Sequence, residues 1–263
     1  MGGVLKGKVA IVTGASRGIG RGISHAFAAE GAKVIVASRG KPGVDAVVKE
    51  IRDAGGDATG AVCDVGDAKA ITATVAQAVS TYGGLDILVN NAQGFGSATE
   101  PAASTVLTPI QDLPESHWDY SFQTGATATF RFMKTAFPHL KKSGAGRIIN
   151  FGSFWGQIGF EGAVAYNANK EAIRALSRTA AREWGKHGIT VNVINPLLVT
   201  DAFHDWANAA PDAAAGMVAQ IPVARTGDPE KDGGRIAVFL AGPDSGFLTG
   251  MTFQVDGGFY MYP

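Results

Sequence analysis

Lys8-Val9-Ala10-Ile11-Val12-Thr13-Gly14-Ala15-Ser16-Arg17-Gly18-Ile19-Gly20 sets an apolar run directly against a glycine-spaced turn. Residues 8–13 lack polar alternation, the pattern of a strand covered on both faces. Residues 18–30 take up helical periodicity and stop at Gly31. A strand, a tight glycine turn and a helix in succession let backbone N–H groups approach a pyrophosphate, with the helix N-terminus adding partial positive charge. Gly14, Gly18 and Gly20 form GxxxGxG rather than GxGxxG, with Ser16, Arg17 and Ile19 between them. No Lys-Ser or Lys-Thr follows, so the turn is not a P-loop. The bland reading, a glycine turn with no ligand, is weakened by its position between the first strand and the first helix.

Outward from this turn the alternation continues. Strands are expected at 33–37, 58–63, 85–90, 147–151, 190–194 and 252–255. Helices are expected at 44–54, 67–82 with Asp67 as N-cap, 115–141, 164–187 and 229–241, with 201–220 helical in part. Continuous apolar strands alternating with helices imply an α/β fold: a doubly wound parallel sheet of Rossmann type, three layers αβα, in one domain over 1–263. The length of 263 residues suits a single α/β domain. The irregular stretch 93–114 and the segment 200–222 are the expected substrate loops.

Composition narrows the partners. Zero formal net charge argues against nucleic acid and anionic membranes, and offers little resistance to self-association, which is compatible with an oligomer. The single cysteine, Cys63, excludes an internal disulfide and points to a reducing, cytoplasmic setting. No signal-peptide layout or spanning stretch is present. His25, His117, His139, His187 and His204 are scattered without ligand spacing, so no metal is expected.

The second strand ends in Ala37-Ser38-Arg39, with no carboxylate to take a ribose 2′-hydroxyl. Arg39 can grip a 2′-phosphate as a charged fork, and Arg17 can flank it, which favours NADP(H) over NAD(H). Asp64, with Val65 beside it, follows the third strand; it reads equally as an acceptor for the adenine amino group and as a loop or cap acid. Asn90-Asn91-Ala92 ends the fourth strand, at the switch point where ligands sit.

Tyr166 and Lys170 stand four apart in a helical stretch, on one face. A tyrosine near pKa 10 is a poor base, and a neighbouring ammonium stabilises its phenolate, fitting it to pass a proton to an alkoxide or take one from an alcohol. Ser153, after the fifth strand, is placed to bond a substrate oxygen.

Taken together, Thr13-Gly14-x-x-x-Gly18-x-Gly20, Asn90-Asn91-Ala92, Ser153, Tyr166-x-x-x-Lys170, Asn195-Pro196 and the late run 250–258 resemble the classical short-chain dehydrogenase/reductase family over essentially the whole chain. The resemblance implies a Rossmann-type subunit, usually assembled as a homo-oligomer (tetramer or dimer), and hydride transfer, with Ser153 positioning a carbonyl, Tyr166 as acid/base and Lys170 on the nicotinamide ribose. It also implies cofactor contacts from Pro196, Val199 and Thr200. Three departures stand out. Gln93 replaces the family glycine after Asn-Asn-Ala. Gly125 falls where the family has an asparagine that bends the helix and holds a relay water; glycine can still permit the bend, leaving the water to backbone carbonyls, Thr124 or Gln123, or the relay slower or rerouted. Leu197 follows Pro196 in place of glycine.

Phe95, Val106, Leu107, Ile110, Phe154, Trp155, Phe160, Phe203, Trp206 and Met217 are expected to shape an apolar pocket, with Phe151 read as core. The substrate expected is a lipophilic ketone or secondary alcohol. An imine or C=C reductase on the same scaffold, and a cofactor-binding sensor that has lost turnover, are the alternatives.

Overall fold

The computed structural model describes residues 3–261. β1 (Val9–Thr13) is buried along its whole length and pairs in parallel with β2 (Lys33–Ser38) on one side and β4 (Ile87–Asn90) on the other. β3 (Asp57–Val62) lies outside β2, while β7 (Arg147–Phe151), β8 (Thr190–Pro196) and β9 (Thr252–Val255) extend the sheet beyond β4. The order is β3-β2-β1-β4-β7-β8-β9, every neighbour parallel. The chain winds outward from β1 in one direction, then returns to build the other side. The β1/β4 crevice is therefore a topological switch point.

Period-two side-chain alternation sends successive residues of each strand to opposite faces. Ala10 and Val12 pack with Ile23 and Phe27 of α1 (Gly18–Ala29), Val44 and Ile51 of α2 (Lys41–Asp53) and Val238 of α10 (Arg235–Ala241). Val9 and Ile11 pack instead with Ile71 of α3 (Ala68–Tyr82), Phe132 and Leu140 of α5 (Ala126–Ser143) and Ala180 of α7 (Val164–Trp184). The result is the expected doubly wound, three-layer arrangement. Asp67 caps α3, its Oδ1 accepting from Lys69 N–H at 2.8 Å.

Several stretches differ from the sequence expectations, among them 229–241, where a π-helical turn at Pro229–Gly234 precedes α10. The helix expected over 115–141 is two, α4 (Glu115–Thr124) and α5, because Gly125 adopts φ −105°, ψ −96° and breaks the helical path. The segment 93–114 holds a two-residue hairpin, β5 (Phe95–Gly96) with β6 (Pro101–Ala102), and a 3₁₀ turn at Ile110–Asp112. A short helix, α6 (Phe154–Ile158), follows Ser153. The segment 201–220 forms α8 (Asp201–Ala209) and α9 (Pro211–Ala219).

Candidate active site

The floor of the site is the switch point itself. Thr13 Oγ1 accepts from the Asn91 N–H at 3.0 Å and the Ala92 N–H at 3.1 Å, and donates to Val89 O at 3.2 Å. Asn91 Nδ2 donates to Thr13 O at 2.9 Å. This riveting presses the end of β4 onto the glycine turn. Gly14, at φ +64°, has no room for a side chain: a Cβ would stand 2.9 Å from Asn91 Nδ2. Gly20 is tighter, with a Cβ 2.5 Å from Gly14 O and 2.7 Å from Asn91 Nδ2. Arg17 enters α1 in an extended conformation and provides no side-chain cap, so no side chain takes up the N–H groups of the first turn. An uncapped helix start beside a glycine cradle suits a phosphate.

This turn opens onto a cavity of about 430 Å³ whose lining includes Gly14, Ser16, Arg17, Gly18 and Ile19. At the end of β2 lie Ser38 and Arg39, with Asp64 and Val65 after β3. The Ser16 and Ser38 hydroxyls are 3.0 Å apart. Arg39 Nη1 donates to the phenol oxygen of Tyr120, at 2.9 Å, so a guanidinium and a tyrosine from α4 meet in the cavity lining. Asp64 Oδ1 accepts from Gly66 N–H at 2.8 Å, which gives it a loop-closing role in addition to its place in the lining. Asn91, Ala92, Tyr166, Lys170, Pro196 and Thr200 complete the expected set. Two expected contacts do not line the cavity. Gly20 sits behind Gly14 and acts through the packing just described. Val199 spends its N–H on Gly227 O at 2.8 Å, and Leu197 and Leu198 line the wall instead.

Ser153, 8% exposed, lies two residues past β7, does not itself line the cavity, and caps α6 by accepting from Trp155 N–H at 3.2 Å. The Tyr166 ring lies 5.9 Å from that of Phe95 and 6.1 Å from that of Trp155. Lys170, 4% exposed, donates from Nζ to Phe151 O at 3.0 Å, and Nζ stands 5.4 Å from the Tyr166 ring centre. Burial raises the Tyr166 pKa, and the Ser153 hydroxyl draws it partly back. Burial also lowers the Lys170 pKa, to about 8. The sequence argument anticipated a tyrosine lowered by its ammonium. Here desolvation disfavours both charged forms. At neutral pH the pair is therefore a phenol beside an ammonium, the protonated state that can give a proton to a substrate oxygen.

Lys170 also ties stability to pH. Its folded pKa of about 8 lies below its ordinary 10.5. Between these values the unfolded chain holds a proton that the folded chain has released, so stability rises with pH through this window. The full gain is about 3 kcal/mol, reached only near the ordinary lysine value. Tyr166 acts oppositely, its contribution being lost as pH rises above about 10. Chemical denaturation from pH 7.5 to pH 9.5 is expected to show wild type gaining about 1–2 kcal/mol relative to Lys170→Met. Parallel curves for the two proteins would contradict it.

The aromatic pocket is only partly assembled. Phe95 and Phe151 line the cavity, and Val106 lines a small adjoining pocket. Trp155 stacks on Phe160 at 4.1 Å, and Phe154 meets Phe259 and Tyr260 at 5.5 and 6.1 Å, so these rings largely pack with one another. Leu107 and Ile110 are exposed, and Phe203, Trp206 and Met217 do not reach the lining. Thr124 and Gln123 are committed elsewhere. Thr124 Oγ1 donates to Tyr120 O at 2.7 Å and accepts from Gly94 N–H, while Gln123 Nε2 donates to Gly66 O at 3.2 Å. Sequence reasoning missed Tyr120, met by Arg39, and Asn169, which is fully buried beside Lys170. Neither has a local spacing signal. Among the described residues no group of three or more His, Cys, Asp or Glu side chains is placed to hold a metal, and no helix is long and apolar enough to cross a membrane.

The family model described as enoyl-(acyl carrier protein) reductase matches residues 14–260. The chain is 35% identical over 268 residues to 12alpha-hydroxysteroid dehydrogenase of a Clostridium species, covering 99% of this chain and 100% of that one. It is also 35% identical over 261 residues to the 3-oxoacyl-(acyl-carrier-protein) reductase FabG of Vibrio cholerae, covering 98% and 99%. Among solved structures, 7alpha-hydroxysteroid dehydrogenase complexed with NADH and 7-oxo glycochenodeoxycholic acid superposes with a TM-score of 0.88 at 31% identity, covering 97% of this chain and 94% of that one. With the fold, the switch-point cavity and these matches in agreement, the chain belongs to the classical short-chain dehydrogenase/reductase family of nicotinamide-dependent oxidoreductases.

Proposed function

We propose that the chain is an NADP(H)-dependent oxidoreductase that interconverts a lipophilic ketone and its secondary alcohol. The observation that carries this reading is that Tyr166, met by the Ser153 hydroxyl, and Lys170 line one cavity whose other end is the uncapped start of α1. The bound nicotinamide supplies or accepts the hydride. Gly14, Gly18 and the first turn of α1 take the pyrophosphate, and Asn91 holds that cradle shut from behind. Ser153 donates to the substrate oxygen as charge develops on it. Tyr166 gives its phenolic proton to that oxygen, and the adjacent Lys170 ammonium compensates the phenolate left behind. In the oxidising direction the same groups run in reverse.

NADP(H) selection rests on Arg39, aided by Arg17, with no carboxylate at the end of β2. Replacing Arg39 by serine is expected to raise KM for NADPH roughly ten- to hundredfold, the value of a lost charge-assisted contact, and to leave KM for NADH nearly unchanged. Initial rates with both cofactors measure this. A wild-type enzyme that prefers NADH tenfold would reject the assignment.

A lipophilic substrate is supported by Phe95 against Tyr166 and by similarity to two hydroxysteroid dehydrogenases. NADPH consumption across a panel of bulky cyclic, aromatic and steroidal ketones tests it. Turnover confined to acyl thioesters or sugars would overturn the substrate class, and no turnover of any substrate beyond that of Tyr166→Phe would overturn the activity.

A further inference from the structure

Gly125 and Asn169 share one space. A Cβ built on Gly125 would overlap both Nδ2 and Oδ1 of Asn169, a side chain with no exposed surface. Asn169 comes from α7, immediately before Lys170. Its Oδ1 accepts from the Ala126 N–H at 2.6 Å, the first N–H of α5 after the break. Its Nδ2 donates to Gln93 Oε1 at 2.8 Å. Gln93 Nε2 in turn donates to Gly94 O at 2.9 Å and Ser121 O at 3.3 Å. The chain begins at a backbone group that can only donate and ends at two that can only accept, so both amides have one possible orientation. Three residues far apart in sequence form a single part-buried hydrogen-bonded unit joining α7, the α4–α5 break and the loop after β4.

We propose that Asn169 is a positioning residue for Tyr166 and Lys170: its amide occupies the side-chain space left at Gly125 and locks the helix bearing both groups to the broken helix and to Gln93. The roles of Tyr166 and Lys170 rest on the proposed function; the lock itself does not. Gln93 thereby has its amide engaged in the lock while the residue also lines the cavity. A serine at 169 is too short to make both bonds, which frees α7 to shift against the β7 carbonyl that holds Lys170 Nζ. A small displacement of a catalytic pair is enough to cost on the order of a hundredfold in rate.

The test relocates the amide. Asn169→Ser, Gly125→Asn and the double variant are compared by thermal unfolding of the cofactor-free protein. They are also compared by NMR titration of the ¹³C-labelled Lys170 side chain, assigned through Lys170→Arg, and by the pH profile of kcat with NADPH and a ketone. Asn169→Ser is expected to lower kcat tenfold or more with KM for NADPH within about threefold, and to move the Lys170 titration. Gly125→Asn alone is expected to unfold at lower temperature through collision with Asn169. The double variant is expected to recover most of both losses, a strong coupling between the two positions. Additive effects in the cycle, or a folded Asn169→Ser with Lys170 titration and kcat profile unchanged, would overturn the proposal. If Asn169→Ser does not fold, Gln93→Ala cuts the same chain at its other end and must move the Lys170 titration for the proposal to stand. A wild type inactive on every ketone would sink the proposed function, while the unfolding cycle and the titration still decide the lock.

Discussion

Replacing Tyr166 by phenylalanine is expected to lower kcat by about 10²–10⁴-fold, the usual worth of a positioned general acid, while NADPH affinity stays within about twofold. The change removes one oxygen and leaves the ring, so its packing against Phe95 and Trp155 is retained. The protein should also lose any benefit of the Ser153 hydroxyl, which faces the missing oxygen. Burying a neutral ring in place of a phenol costs little stability, so unfolding midpoints should nearly coincide. Stopped-flow hydride transfer and cofactor fluorescence titration separate the two quantities. Equal losses in affinity and rate would indicate a collapsed site and remove Tyr166 from the role of acid. The pH profile adds a second check. The acid form of Tyr166 is favoured by burial, so ketone reduction should hold its rate across neutral pH and decline only in the alkaline range.

Gly20→Ala is the second large effect. A single methyl at Gly20 meets Gly14 O at 2.5 Å and Asn91 Nδ2 at 2.7 Å, and both are fixed by the Thr13 and Asn91 hydrogen bonds. The turn must therefore open or α1 must retreat, at about 1–3 kcal/mol of stability. Either displacement moves the first-turn N–H groups from the phosphate position, so NADPH affinity is expected to fall tenfold or more. Gly185→Ala is the control. Gly185 has helical φ −54°, ψ −38° and open space around its Cβ position, so it should be neutral or slightly stabilising, by at most about 1 kcal/mol. Isothermal titration with NADPH and thermal melts report both. Wild-type affinity in Gly20→Ala would mean that the cradle is not where the cofactor binds.

Much of this site was legible in sequence because its signals are local. The glycine turn is read within one strand–helix junction, and Tyr166 with Lys170 within one helical turn. The doubly wound parallel sheet followed from the alternation of apolar strands and amphipathic helices. What escaped the sequence depends on chain segments that meet only after folding. Asn169 carries no spacing that relates it to Gly125 or Gln93, and Tyr120 none that relates it to Arg39. A bend at Gly125 was permitted by the family resemblance, but periodicity did not show that it divides the helix in two, because residues on both sides keep the helical pattern. The direction of the Tyr166 shift was missed for a related reason: spacing reveals a charge nearby, whereas burial depends on everything packed around it. The aromatics after Thr200 and in 93–114 were visible as composition, but composition does not say which way a ring points.

The hairpin β5–β6 and its surroundings have a consequence for how this scaffold changes over evolutionary time. The hairpin pairs only two residues with two, and beyond it the segment is anchored by the Thr108 N–H on Gly162 O at 2.8 Å. Val106, Leu107 and Ile110 stand exposed, in contrast to the closed strand ends beneath the cofactor cradle. Insertions and replacements there place little burden on the core. Selection can therefore rewrite what the enzyme accepts while the proton- and hydride-handling parts stay fixed. A graft of residues 97–108 from a relative should transfer preference before it disturbs folding.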